Sequence, residues 1–111
     1  MGKNVEYNEI TGHPSSVFES LNRSIGQYKR NHTSIKVGIT GRNPQYRFNE
    51  HLKVFDWDRM VVVYETTSHK YANTLENWLV EYHSEDIVNQ RTGGGSQLSL
   101  EGNHYLYILL K

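Results

Sequence analysis

The spacing of apolar residues changes period several times along this chain, and each change marks an element. Phe18, Leu21, Ile25 and Tyr28 recur at intervals of three and four, the stripe of one helix face. Ser16 and Glu19 precede that stripe in the arrangement of a capping box, which predicts a helix over about residues 16–30, weakened by Gly26. Asn31-His32-Thr33 breaks the pattern. Ser34 to Thr40 then alternates, with Ile35, Val37 and Ile39 on one side, as a half-buried strand does. Gly41-Arg42-Asn43-Pro44 reads as a turn, and Pro44 suits the first position of a helix that runs to about Lys53. Met60 to Glu65 is β-branched and apolar and predicts a central strand. Ser68 is placed to cap a helix over about 69–84, with Ala72, Leu75, Leu79 and Tyr82 as its inner stripe. Thr92-Gly93-Gly94-Gly95-Ser96 predicts a loop, and His104 to Leu110 a last strand.

Residues 1–14 are polar, contain Gly12 and Pro14, and read as an N-terminal arm. The remaining residues, 15–111, form one domain. Its class is α/β in the α+β sense: a small, largely antiparallel sheet of about three strands flanked by helices. Connections this short favour antiparallel neighbours.

Composition narrows the function. Twelve basic residues balance twelve acidic ones, which argues against a protein that grips long duplex DNA by charge alone. The chain has no cysteine, so disulfides, thiolate zinc sites and cysteine nucleophiles are excluded together. No run approaches the apolar length of a membrane span, and the N-terminus has no apolar stretch of the secretory kind. An intracellular location, cytoplasmic or nuclear, with no membrane partner is expected. The six histidines are not spaced as a zinc pair on one helix turn.

Several residues stand out chemically. Glu76 lies four after Ala72 and three before Leu79, at the border of a buried stripe where carboxylates are rare unless paired or bound to a cation. Glu81 and Glu85 fit an ordinary solvated face. Arg47 and His51 are four apart and share a helix face. An Arg fork there suits phosphate oxygens, and a His suits phosphate binding or proton transfer. Asn89 follows the Glu76 helix. Each has an ordinary alternative: a helix-edge Glu, two surface residues, a turn Asn.

Taken in order, Lys36-Val37-Gly38-Ile39-Thr40, Arg47, Glu76 and Asn89 resemble the second half of the GIY-YIG nuclease signature, over about residues 34–91. Two departures stand beside the likeness. The Tyr of the "YIG" motif is Lys36 here, similar to divergent branches that read "KIG". The "GIY" strand expected about ten residues earlier is replaced by the Phe18–Tyr28 helix. His104-Tyr105-Leu106-Tyr107-Ile108-Leu109 resembles that missing strand, with Tyr107 in the Tyr position. The expectation is a circularly permuted arrangement in which this strand lies beside residues 34–40. The bland alternative makes Tyr105 and Tyr107 core or edge aromatics.

The resemblance implies a metal-dependent endonuclease acting on nucleic acid, DNA more readily than RNA. One Mg²⁺ or Mn²⁺ would be held by Glu76. Tyr107, or Lys36 with its pKa lowered by burial, would help deprotonate the attacking water. Arg47 would clamp the phosphate, His51 would support it or move a proton, and Asn89 would brace the site. Gly38, Thr40, Arg42, Tyr105 and Arg91 are the expected substrate-binding residues. Arg23, Lys29, Arg30, Arg42, Lys53 and Arg91 are candidates for a basic rim. Two other classes stay open: a catalytically inactive nucleic-acid-binding module of the same fold, and an interaction domain that assembles through its edge strands.

Overall fold

The computed structural model describes residues 5–83 and 102–111 of the chain. Asn89, Arg91 and the Thr92–Ser96 loop lie outside the described residues. The elements are β1 (Val5–Ile10), α1 (Pro14–Lys29), β2 (Ile35–Thr40), α2 (Pro44–Leu52), β3 (Arg59–Thr66), α3 (His69–Tyr82) and β4 (His104–Leu110). The class is the expected mixed α/β, with a four-stranded sheet in the order β1-β3-β4-β2.

The fourth strand is the surprise. The segment expected as a polar arm pairs in parallel with β3, Val5 opposite Met60 and Tyr7 opposite Val62. Its polarity reflects an edge position, with residues 7–10 exposed. Glu6 is fixed to Arg59 by a two-pronged ion pair of 2.6 and 2.8 Å, and Val5 N–H donates to Gln45 Oε1 at 3.2 Å. A strand held mainly by main-chain pairing and one ion pair carries little hydrophobic signal in its own sequence.

β4 occupies the centre. It pairs antiparallel with β2 on one side and with β3 on the other. That position explains its near-continuous apolar sequence, since both of its faces are covered. One face packs α1 and α3 through Val17, Leu21, Ile25, Ala72, Leu75 and Leu79 against Val37, Val61 and Ile108. The other packs α2 through Phe48 against Trp57, Met60, Val62, Tyr107 and Leu109. The result is three layers, with α1 and α3 on one side of the sheet and α2 on the other.

The helix starts follow local chemistry. Pro44 opens α2 and Ser68 caps α3, its Oγ accepting from Tyr71 N–H at 3.1 Å, as expected, while Asn43, expected only as part of a turn, caps α2 with Oδ1 accepting from Gln45 N–H at 2.9 Å. α1 begins earlier than expected. His13 is its cap, accepting from Ser15 N–H through Nδ1, and Pro14 is the first helical residue rather than the end of the N-terminal arm. The inner stripe of α1 is Val17, Leu21 and Ile25, with Phe18 and Tyr28 packed at its rim. On α3 the stripe ends at Leu79 and Val80. Tyr82 points outward with 66 % of its surface exposed, against the expectation that it faced the core.

Because β1 covers one edge of β3, its removal exposes a row of unpaired main-chain groups beside Met60 and Val62. Deletion of residues 1–10 is expected to lower Tm and to produce concentration-dependent association in analytical ultracentrifugation. An unchanged Tm would assign the strand no stabilising role.

Candidate active site

The site is built on the register between β2 and β4. Gly38 lies opposite Tyr107, Lys36 opposite Leu109 and Thr40 opposite Tyr105, so Lys36, Gly38, Tyr105 and Tyr107 share the α2 face of the sheet. Terminal main-chain bonds pin this register: Lys111 N–H donates to Ser34 O at 3.0 Å, and Thr33 N–H donates to Lys111 O at 2.9 Å. The last strand therefore does lie beside residues 34–40.

Gly38 is required by the Tyr107 ring. A Cβ at this position would stand 2.5 Å from both Cζ and the hydroxyl oxygen of Tyr107. The phenol thus lies across the bare backbone of β2, which no other residue type permits. Tyr107 is buried, yet its hydroxyl reaches two polar partners on α2. Arg47 Nε donates to it at 3.4 Å, and His51 Nε2 stands 2.7 Å away. Arginine has only donors, so the phenol oxygen accepts from Arg47, while the direction of the bond to His51 Nε2 follows the imidazole tautomer. Burial and then the nearby cations Arg47 and Lys36 press the pKa of His51 down to about 4, which favours the neutral ring. In the neutral tautomer with its hydrogen on Nδ1, the Tyr107 hydroxyl donates to Nε2.

Burial pushes the Tyr107 hydroxyl up from its usual value, while Arg47 works in the opposite sense. Lys36 lies half-buried on the same face. Its pKa is lowered first by burial and then by Arg47, while the Glu76 carboxylate opposes the shift. A lowered pKa is the direction that suits an amine acting as a proton acceptor. Arg47 is held in place by Glu50 at 3.0 Å, which also pairs with the exposed Arg42 at 3.0 Å.

Glu76 is the least settled group of the site. It is only 7 % exposed on α3, and none of the described residues makes a hydrogen bond or an ion pair with it. Burial raises its pKa to about 7, with Lys36 opposing. Its charge also bears on Tyr107. Among the described residues no three His, Asp or Glu side chains converge as a metal-binding group. A cation at Glu76 would therefore depend on one protein carboxylate plus oxygens from water and substrate. A buried, unpaired carboxylate fits a hard divalent ion in that limited sense, because binding replaces the proton that burial favours.

Of the expected residues, Tyr107, Arg47 and His51 meet directly and Lys36 lies on the same face, whereas Glu76 belongs to α3, whose packed stripe covers the opposite side of the sheet, and it is linked to Lys36 and Tyr107 only through its charge. Thr40 is buried, and its Oγ1 accepts from Arg42 N–H at 3.1 Å, so it shapes the turn into α2. Tyr105 packs beside Tyr107's cluster, two residues away along β4. The basic rim divides: Arg23, Lys29 and Arg30 belong to α1 and its end, on one side of the sheet, and Arg42 and Lys53 flank α2 on the other.

Sequence reasoning missed a cleft of about 480 Å³ beside this site, lined by Ser34, Lys36, Arg47, Glu50, His51, Val54, Phe55 and Trp57. Glu50 was detectable three residues after Arg47 on one helix face. Val54, Phe55 and Trp57 lie in the α2–β3 connection, where no periodicity marks them.

No protein-family profile, curated protein or solved structure matches the chain.

Two predictions follow from this geometry. Gly38→Ala forces Tyr107 off its seat and should cost about 1–3 kcal/mol in urea denaturation, the usual range for overpacking. The second concerns pH. Glu76 holds its proton more tightly in the fold, at about 7 against an ordinary 4.5, so its stabilising share is complete below 4.5 and is lost as pH rises through 7. His51 acts oppositely: depressed from 6.5 to about 4, it loses stability as pH falls through that window. Glu76→Gln removes the first effect alone. The variant should match wild type near pH 4.5 and exceed it at pH 8 by on the order of 2 kcal/mol. A variant less stable than wild type at pH 8 would mean that Glu76 is a structural group.

Proposed function

We propose that this protein is a metal-dependent endonuclease of the GIY-YIG type that hydrolyses phosphodiester bonds in nucleic acid, DNA in preference to RNA. The observation that carries the reading is the Tyr107 hydroxyl, set between the Arg47 guanidinium and His51 Nε2 over the bare backbone of Gly38. Support also comes from the buried carboxylate Glu76, whose charge reaches the same phenol. A circular permutation, with β4 in the place of the missing "GIY" strand, belongs to this reading.

The residues divide the work by charge. Arg47 clamps a scissile phosphate and stabilises the charge that builds on it. The Tyr107 oxygen takes a proton from the attacking water as its own hydrogen passes to His51 Nε2; the water oxygen bonds to phosphorus, the P–O bond to the leaving sugar oxygen breaks, and that oxygen takes a proton from solvent. Arg47 stabilises phenolate character during that exchange, and the incoming phosphate raises the proton affinity of His51. Lys36, with its pKa lowered, is the alternative acceptor and a second phosphate contact. Glu76 would hold Mg²⁺ or Mn²⁺, which when bound supplies positive charge to the phosphate and acidifies bound water.

The test is cleavage of labelled single- and double-stranded DNA and RNA in Mg²⁺, Mn²⁺ or EDTA. Wild type should cut DNA, and EDTA should abolish the reaction. Glu76→Ala should be inactive, and Tyr107→Phe should lose on the order of 10²- to 10⁴-fold in rate, as expected for a lost proton acceptor. Equal cutting by wild type and Glu76→Ala would refute the assignment. Binding without cutting by wild type would replace the enzyme with a nucleic-acid-binding module.

A further inference from the structure

We propose that the cleft beside Arg47 and His51 is a nucleobase subsite, in which Phe55 stacks on an unpaired base of the strand whose phosphate lies against Arg47. The substrate is then single-stranded, or carries a base held outside its stack. This inference rests on the nuclease reading for the position of the phosphate.

The cleft lining holds two unlike sets of residues. Lys36, Arg47 and His51 form a polar one, together with Glu50, whose charge is taken up by Arg42 and Arg47. Val54, Phe55 and Trp57 form an apolar one. A phosphodiester group alone needs only the first. The second keeps Val54 87 % and Phe55 45 % exposed directly beside it, a cost to the free protein that a flat apolar ligand would offset.

The main chain that carries Phe55 is held by hydrogen bonds at both its N–H and its carbonyl. The Phe55 N–H and that of Val54 both donate to His51 O, at 3.1 and 3.0 Å, and Trp57 N–H donates to Phe55 O at 2.9 Å. The buried Trp57 supports the ring edge-to-face, with centroids 4.7 Å apart at 63°. His51 thus anchors the stacking ring through its carbonyl and the Tyr107 phenol through its imidazole, so base and phosphate would be held at a set separation.

The volume suits one bound group, about 480 Å³ within a usual range of roughly 300–1,000 Å³. A base inside a duplex has both faces occupied by its neighbours and cannot reach the ring. Every base offers a π-face, so the subsite would tolerate different sequences. Stacking also supplies affinity that a chain of zero net charge does not obtain from phosphates.

The experiment measures binding in EDTA by fluorescence anisotropy, with wild type, Phe55→Ala, Phe55→Leu and Phe55→Trp. The probes are a short labelled DNA strand of mixed sequence, the same strand in a blunt duplex, and the strand with one abasic position scanned along it. Wild type should prefer the single strand to the duplex. Phe55→Ala should weaken single-strand binding by about 10- to 100-fold, the usual effect of losing one base–aromatic stack. Phe55→Leu keeps the apolar contact with Trp57 and should lose as much, whereas Phe55→Trp should retain affinity. One abasic position should mimic Phe55→Ala and add little to it. Equal single-strand binding by wild type and both truncated variants would overturn the proposal, as would a wild-type preference for duplex. Because no cleavage occurs in EDTA, an inactive protein that gives the expected pattern fails the nuclease reading while upholding the subsite.

Discussion

The contact between the Tyr107 ring and the bare backbone of Gly38 is the constraint on which the site depends. It exists because β4, the last strand, is inserted between β2 and β3 with Gly38 and Tyr107 in register. A shift of that register by one residue would turn Tyr107 to the α1–α3 face and remove its hydroxyl from Arg47 and His51. The sheet resists such a shift, since every β4 residue from Leu106 to Leu110 is buried. Packing of the core and placement of the phenol are thus one event.

Around that contact the charges do not balance as a purely structural cluster would. Lys36 and Arg47 repel one another, and burial, with these two cations behind it, favours a neutral His51. Glu76 is buried without a described partner and favours its proton. Such an arrangement costs stability and is usual where a ligand completes the set. A phosphate would answer the cations, and a divalent ion would answer the carboxylate.

Much of the fold was legible because it rests on local signals. Ser68 and Pro44 started their helices where a cap and a first-turn proline indicated, and the alternation of residues 35–39 gave β2 its buried side. The edge strand β1 was not legible. Its main-chain pairing with β3 and the Glu6–Arg59 ion pair are long-range, and its own residues are polar. Within the site, Arg47, His51 and Glu76 stood out by spacing on helices, and Tyr107 by its likeness to a displaced strand. The cleft wall of Val54, Phe55 and Trp57 was hidden, because a connection has no period to read and its form comes from bonds to the His51 carbonyl.

The proposed function makes Glu76 a buried cation ligand whose charge bears on Tyr107. The most direct measurement is an NMR titration of the Glu76 side-chain carboxyl carbon, with and without Mg²⁺. The account predicts a midpoint near pH 7 without metal, well above the ordinary 4.5, and a clear fall when Mg²⁺ is added. A midpoint near 4.5 that Mg²⁺ leaves unmoved would contradict it.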